Sequence, residues 1–141
     1  ENYEKFQQLI IKRVAENKKE RSVYVAVTVT KPYTRTINKD LYLTGLAYLF
    51  STKKIDSISL LVRNVEKVFL LDYLKEYFSI GDISIGNVHS MNGNYLFPFA
   101  TLSRHYFSIG NSVKADYYKK LALKVATEGE ILNEYETFFA E

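Results

Sequence analysis

The run SVYVAVTVT at residues 22–30 constrains the fold of this chain more than any other feature. It is rich in β-branched and aromatic residues and contains neither Gly nor Pro, which is typical of a β-strand. Residues 23–27 are apolar at every position, so both alternating faces would be apolar. This pattern predicts a strand that is buried on both faces, and Pro32 would end it.

Polar and amphipathic segments flank the predicted strand on both sides. Residues 2–19 place apolar side chains at helical spacing, which predicts an amphipathic helix that ends in the polar cluster NKKER. After the strand, residues 31–40 (KPYTRTINKD) predict a polar loop. Loops of this length often carry function, although a plain connection is the alternative interpretation.

The stretch LYLTGLAYLF at residues 41–50 is almost entirely apolar and fits a buried strand, a core helix or part of a membrane span. Ten residues are too few to cross a bilayer. Asp40 stands at the position of a helix N-cap. We therefore predict a short helix that runs into an extended tail at residues 49–52. Gly45 would cost about 1 kcal/mol inside a helix, and we interpret it as a close packing contact with the strand at 22–30.

The middle of the chain predicts one further helix and a loop. Residues 57–62 are short and apolar, which indicates an extended segment, and a strong helical pattern then runs from Asn64 to Phe78. Gly81 would end this helix. The glycine-rich residues 79–94 predict a loop, with room for a very short strand at 83–85.

The last third of the chain predicts three helices, at residues 95–108, 112–128 and 130–139, with Ser112 capping the second. Gly110 and Gly129 separate them. Seven residues in the first two helices and the turn between them fall at the spacing of a tetratricopeptide repeat, in which small residues let two antiparallel helices approach closely. They are Leu102, Ser103, Tyr106, Gly110, Ala115, Tyr118 and Ala122. An ordinary helical hairpin is the alternative.

Together these patterns predict the α+β class. The expected fold is a small, mostly helical domain with a short sheet built around the strand at 22–30 and a C-terminal tetratricopeptide-like hairpin. A chain of 141 residues is most simply one domain. We divide that domain into an α–β part at residues 1–94 and a helical part at residues 95–141.

The sequence offers no catalytic or metal-binding constellation. His89 and His105 are the only histidines, neither has a partner at ligand spacing, and the chain has no cysteine. Phosphate-binding and dinucleotide-binding motifs are also absent. We therefore expect no metal and no cofactor. Residues 1–39 carry nine Lys or Arg against four Glu, but the net charge of +3 is too mild to predict a nucleic-acid partner.

Two stretches resemble a known family. RSVYVAVTV at 21–29, followed after a loop by LYLTGLAYLF at 41–50, is similar to a segment of large bacterial multi-spanning membrane proteins. Their membrane part resembles lipid-linked protein O-mannosyltransferases, and their soluble C-terminal part often ends in tetratricopeptide-like helices. Ser22, Thr44 and Leu49 stand where that family usually has Pro, Glu and Arg.

The resemblance implies a non-catalytic, extracytoplasmic (periplasmic) domain at the inner membrane, tethered to a membrane part that lies outside these residues. Its partner would be an acceptor protein or a glycan. Candidate contact residues are polar or aromatic and lie on predicted loops: Tyr33, Arg35, Asn38, His89, Asn92, Asn94 and Tyr95. The alternative function is a soluble protein-interaction adaptor of tetratricopeptide type, and an enzyme with an unrecognised site is a third class.

Overall fold

The structure is a computed structural model that describes residues 2–16, 21–71 and 91–140. These residues form helices and one small antiparallel sheet, which confirms the predicted α+β class. The chain divides into two compact units, Glu1–Ser57 and Ile58–Glu141. The predicted single domain with a division after residue 94 stays a prediction.

The first unit contains a long helix, three short strands and two short helical turns. The strands pair antiparallel in the order β1-β3-β2, so the last strand along the chain is central in the sheet. The elements are α1 (Asn2–Glu16), β1 (Tyr24–Ala26), α2 (Lys31–Thr34), a 3-10 helix (Asn38–Asp40), β2 (Leu41–Leu43) and β3 (Ala47–Phe50).

Residues 41–50 form a β-hairpin, and the predicted helix over this stretch is wrong. Thr44 closes the turn, because its backbone N–H and its Oγ1 both donate to the Ala47 carbonyl at 3.0 Å. Gly45 has a φ of 141°, a conformation that only glycine adopts without strain. Asp40 ends the 3-10 helix and caps no α-helix, since β2 begins at the next residue. The helical interpretation failed because β3 pairs with strands on both sides, and these ladders satisfy its backbone.

The strand predicted at 22–30 is shorter than expected and lies at the edge of the sheet. Burial alternates along it: Val23 and Val25 are half-buried, whereas Tyr24 and Ala26 are exposed. The predicted burial on both faces is therefore wrong. The physical reason is that one face of β1 packs on the core of this unit while the other faces solvent, as antiparallel sheets allow.

A small core holds the first unit together. Ile37 and Phe50 are buried at its centre, and half-buried side chains of α1, β1 and β2 pack against them. The segment at 31–40, predicted as a loop, contributes to this core because it folds into α2 and the 3-10 helix. The half-buried residues of the core are Ile11, Val23, Val25 and Leu41.

In the described residues of the second unit, all the regular secondary structure is helical. Its elements are α3, which begins at the last residue of the first unit (Ser57–Arg63), a π-helix (Asn64–Val68), α4 (Leu96–Ser108), α5 (Ser112–Glu128) and α6 (Leu132–Ala140). The extended segment predicted at 57–62 is wrong, since its apolar residues form α3 and bury Leu61. The helix predicted from Asn64 to Phe78 ends at Phe69, where the backbone becomes extended. Residues 72–78 of that prediction, Gly81 and the strand predicted at 83–85 lie outside the described residues.

Helices α4 and α5 form a hairpin around Gly110, which takes a φ of 77°. Asn111, and not the predicted Ser112, caps α5, because Asn111 Oδ1 accepts a hydrogen bond from Lys114 N at 3.1 Å. Six of the seven residues at the predicted repeat positions are buried: Leu102, Ser103, Tyr106, Ala115, Tyr118 and Ala122. Ser103 Oγ donates to the Ala115 carbonyl at 2.9 Å and so links the two helices. Whether the hairpin belongs to the tetratricopeptide class stays a prediction.

None of the helices in the described residues is long and apolar enough to cross a bilayer.

The hairpin turn yields the first prediction. Replacing Gly45 with Ala should lower the free energy of unfolding of the first unit by about 1–3 kcal/mol, because a Cβ is strained at its φ of 141°. Thermal unfolding followed by circular dichroism and by amide hydrogen exchange in β2 and β3 would measure the loss. Gly129→Ala is the matched control, since Gly129 has a φ of −85° that any residue adopts. Equal losses in the two variants would contradict the turn assignment.

Candidate functional site

The 31–40 segment is held in place by its own buried residues and by α1. Thr34 and Ile37 are both buried. Backbone hydrogen bonds join Ile37 N to the Thr34 carbonyl at 2.9 Å and Asp40 N to the Ile37 carbonyl at 2.9 Å. From α1, Gln8 Nε2 donates to the Pro32 carbonyl at 2.7 Å. The segment is therefore a fixed part of the first unit and not only a connection.

Three of the predicted contact residues lie on this segment and reach its surface. Tyr33 is half-buried, and Arg35 and Asn38 are exposed. They alternate with Thr34 and Ile37, whose burial turns their neighbours outward. A phenol ring, a guanidinium with five N–H donors and an amide with both donor and acceptor are thereby presented within six residues.

Three of the other four predicted contact residues, Asn92, Asn94 and Tyr95, lie just before the start of α4 in the second unit. Asn92 is only 7% exposed. Asn94 Nδ2 donates to the Met91 carbonyl at 3.1 Å. The Tyr95 ring stacks on Phe99 with ring centroids 5.6 Å apart. His89 lies outside the described residues. Binding roles for these four residues stay predictions.

A second polar cluster joins the π-helix to the α4–α5 hairpin and was not found from the sequence. Glu66 is its centre. Its Oε1 accepts hydrogen bonds from Tyr106 Oη at 2.5 Å, Tyr118 Oη at 3.1 Å and Lys114 Nζ at 2.8 Å. Lys114 Nζ also reaches Glu66 Oε2 at 2.9 Å. The partners lie 40 to 52 residues after Glu66, so no local spacing could indicate them.

Aromatic packing completes this Glu66 cluster. The rings of Tyr106 and Tyr118 stack with centroids 5.7 Å apart and planes 6° from parallel. The Lys114 ammonium lies 4.7 Å from the centre of the Tyr106 ring, within the range of a cation–π interaction. Because Glu66 satisfies three donors from the hairpin at once, the arrangement fixes the π-helix against α4 and α5. Its geometry is that of a structural anchor.

The same contacts set the ionisation of the cluster. Burial raises the pKa of the Glu66 carboxyl, but the hydrogen bonds from Lys114, Tyr106 and Tyr118 outweigh burial, and the pKa is lowered overall. The hydrogen bond to Glu66 raises the pKa of the Lys114 ammonium. Burial raises the pKa of the Tyr118 hydroxyl, and the negative charge of Glu66 raises it further. At neutral pH the cluster is thus a carboxylate–ammonium pair with two neutral phenols.

Within residues 2–16, 21–71 and 91–140, no group of three His, Cys, Asp or Glu side chains is placed to hold a metal ion.

Comparisons with protein-family models, with curated proteins and with solved structures find no match to this chain.

The Glu66 cluster yields the second prediction. Replacing Glu66 with Gln should lower the free energy of unfolding of the second unit by about 1–2 kcal/mol, because charged hydrogen bonds become neutral ones. Urea unfolding followed by far-ultraviolet circular dichroism would measure the change. Glu136→Gln, at an exposed position of α6, is the matched control and should change stability by less than about 0.5 kcal/mol. Equal changes in the free energy of unfolding of the two variants would contradict the anchor role of Glu66.

The lowered pKa of Glu66 gives the third prediction, a dependence of stability on pH. A carboxyl whose pKa is lower in the folded chain stabilises the fold above its ordinary value of 4.5, and this stabilisation is lost as pH falls through the lowered value. The unmodified chain should therefore lose more stability than Glu66→Gln between neutral pH and the acid range below 4.5. Parallel loss in both chains, measured by thermal melts across that range, would rule out a contribution from Glu66.

Proposed function

We propose that this chain is a non-catalytic extracytoplasmic domain of a membrane glycosyltransferase-like protein, and that it binds an acceptor protein or glycan through the 31–40 segment. The membrane context rests on the resemblance of residues 21–29 and 41–50 to the O-mannosyltransferase-like family. The binding site rests on the geometry of the segment itself.

The observation that carries the proposal is the alternation of anchored and outward-facing side chains in the 31–40 segment. Thr34 and Ile37 are buried, while Tyr33, Arg35 and Asn38 reach the surface. A surface fixed before binding loses less conformational entropy when a ligand arrives. This fixed position supports a binding role for the segment.

The chemistry of these side chains suits a hydroxyl-rich or peptidic ligand. A tyrosine ring packs against the apolar face of a sugar or a proline while its hydroxyl stays in water. The guanidinium of Arg35 can donate two parallel hydrogen bonds to a carboxylate, and the amide of Asn38 can pair with hydroxyls or with a peptide backbone. None of these groups needs a metal or a cofactor to bind.

The fourth prediction tests the site directly. A peptide rich in Ser and Thr, prepared with and without O-linked mannose, would be titrated into the isotopically labelled chain. Amide chemical shifts should change along the 31–40 segment. Tyr33→Ala and Arg35→Ala should each weaken binding about tenfold, which corresponds to about 1.4 kcal/mol.

Two matched controls lie in the same unit. Tyr24 and Arg21 are exposed and lie outside the segment, so Tyr24→Ala and Arg21→Ala should leave affinity unchanged. Shift changes confined to other residues, or none with either peptide, would overturn the site. A response to the glycosylated peptide alone would identify the sugar as the ligand, and equal responses would identify the peptide.

The second candidate function, a protein-interaction adaptor, rests on the packing of α6 against the hairpin. Phe138 of α6 contacts Phe97 with ring centroids 6.1 Å apart, and the Arg104 guanidinium lies 4.0 Å from the Phe138 ring. A third helix packed on a helical pair is how repeat proteins continue or cap an array. Shift changes confined to α4, α5 and α6 in the same titration would favour the adaptor over the acceptor-binding domain.

A further inference from the structure

Helix α1 carries an apolar stripe that the rest of its unit leaves exposed. Tyr3, Phe6, Ile10 and Val14 are between 40% and 67% exposed. Their spacing of three, four and four residues places them along one face of the helix over about three turns. We call these four residues the α1 stripe. A row of large apolar side chains on one helix face is typical of a contact surface.

Side chains of α1 outside the α1 stripe attach the helix to its unit. Ile11 packs against the core of Ile37 and Phe50, and Gln8 binds the Pro32 carbonyl. At about 100° per residue, Gln8 projects roughly 160° and Ile11 roughly 95° away from the centre of the α1 stripe. The position of α1 is therefore fixed by one side, which leaves the stripe pointing away from the 31–40 segment.

Charge is distributed unequally between the two units. The unit of residues 1–57 carries eleven Lys or Arg against six Asp or Glu, a net charge of +5. The unit of residues 58–141 carries eight against ten, a net charge of −2. The apolar stripe thus belongs to the basic unit, in which α1 itself carries Lys5, Lys12 and Arg13 against Glu4 and Glu16.

We infer that α1 is a membrane-surface helix that lies in the plane of an anionic lipid bilayer with the α1 stripe inserted at the level of the headgroups. An amphipathic helix with aromatic residues on its apolar face and basic residues on its polar face binds such interfaces by burying apolar area and attracting anionic headgroups. The inference does not depend on the proposed function, because it uses α1 and not the 31–40 segment. On a bilayer, the 31–40 segment would face the aqueous side.

The charge of the first unit favours a lipid surface over a second copy of the chain as the occupant of the stripe. Pairing two copies through α1 would bring two units of net charge +5 together, and that repulsion opposes association. An anionic bilayer turns the same charge into an attraction. This attraction also predicts that added salt weakens binding.

The fifth prediction uses a tryptophan as a reporter, since the chain has none of its own. Phe6→Trp places one on the α1 stripe. Its fluorescence should shift to shorter wavelength when vesicles of equal parts phosphatidylcholine and phosphatidylglycerol are added, and high salt should reverse the shift. Vesicles of phosphatidylcholine alone should have little effect. Phe107→Trp is the matched control, because Phe107 is 78% exposed but belongs to the acidic unit, and its emission should not shift.

A serine variant supplies the second measurement. Changing both Phe6 and Ile10 to Ser should lower the vesicle-bound fraction in sedimentation at least about tenfold, because it removes apolar area from the interface. Both side chains are at least 40% exposed, so the circular dichroism spectrum should be unchanged. Three results would overturn the inference: no shift of Phe6→Trp with anionic vesicles, a shift of Phe107→Trp instead, or a shift of Phe6→Trp that rises with protein concentration without lipid, which would identify a second copy.

Discussion

The contact between Ile37 and Phe50 is the interaction on which the first unit depends. Phe50 ends the central strand β3, the only strand paired with both others, and Ile37 lies in the 31–40 segment. Ile11 of α1 packs against the same pair. One buried contact therefore sets the sheet, the helix and the segment relative to one another. Since few apolar groups share this core, each contributes a large part of the stability of the unit.

In the second unit, a polar contact adds to the apolar packing that holds the helices together. Its helices bury apolar side chains along the hairpin, and Glu66 joins the π-helix to both hairpin helices through a single carboxylate. A partly buried carboxylate is costly unless its lone pairs are occupied, and Tyr106, Tyr118 and Lys114 occupy them. Geometry of this kind also specifies one register for the contact, because a shifted π-helix would leave two phenols and an ammonium without their acceptor.

The parts of the fold that depend on local pattern were predictable from the sequence, and the parts that depend on distant partners were not. The hairpin helices around Gly110 have strong periodicity and a turn glycine, and their bounds agree closely with the prediction. Residues 41–50 were misassigned because short apolar runs fit both helix and strand. The strand is decided by tertiary pairing: Leu49 of β3 pairs with Tyr24 of β1 on one side and with Tyr42 of β2 on the other. In the same way, the loop predicted at 31–40 was wrong for Tyr33, which lies in α2, and the distant partners of Glu66 could not be predicted.

The positions of the α1 stripe and the 31–40 segment on the first unit determine how the two surfaces could act together. The α1 stripe and the residues of α1 that contact the 31–40 segment, Gln8 and Ile11, lie on different sides of one helix. If α1 rests on lipid, the segment is held away from the headgroups by up to about one helix diameter, since a helix with its side chains is about 10–12 Å across. A ligand bound there would be kept near the membrane without entering it. Because the small core of Ile37, Phe50 and Ile11 fixes α1 and the segment to each other, this spacing is set by the fold and not by a flexible linker.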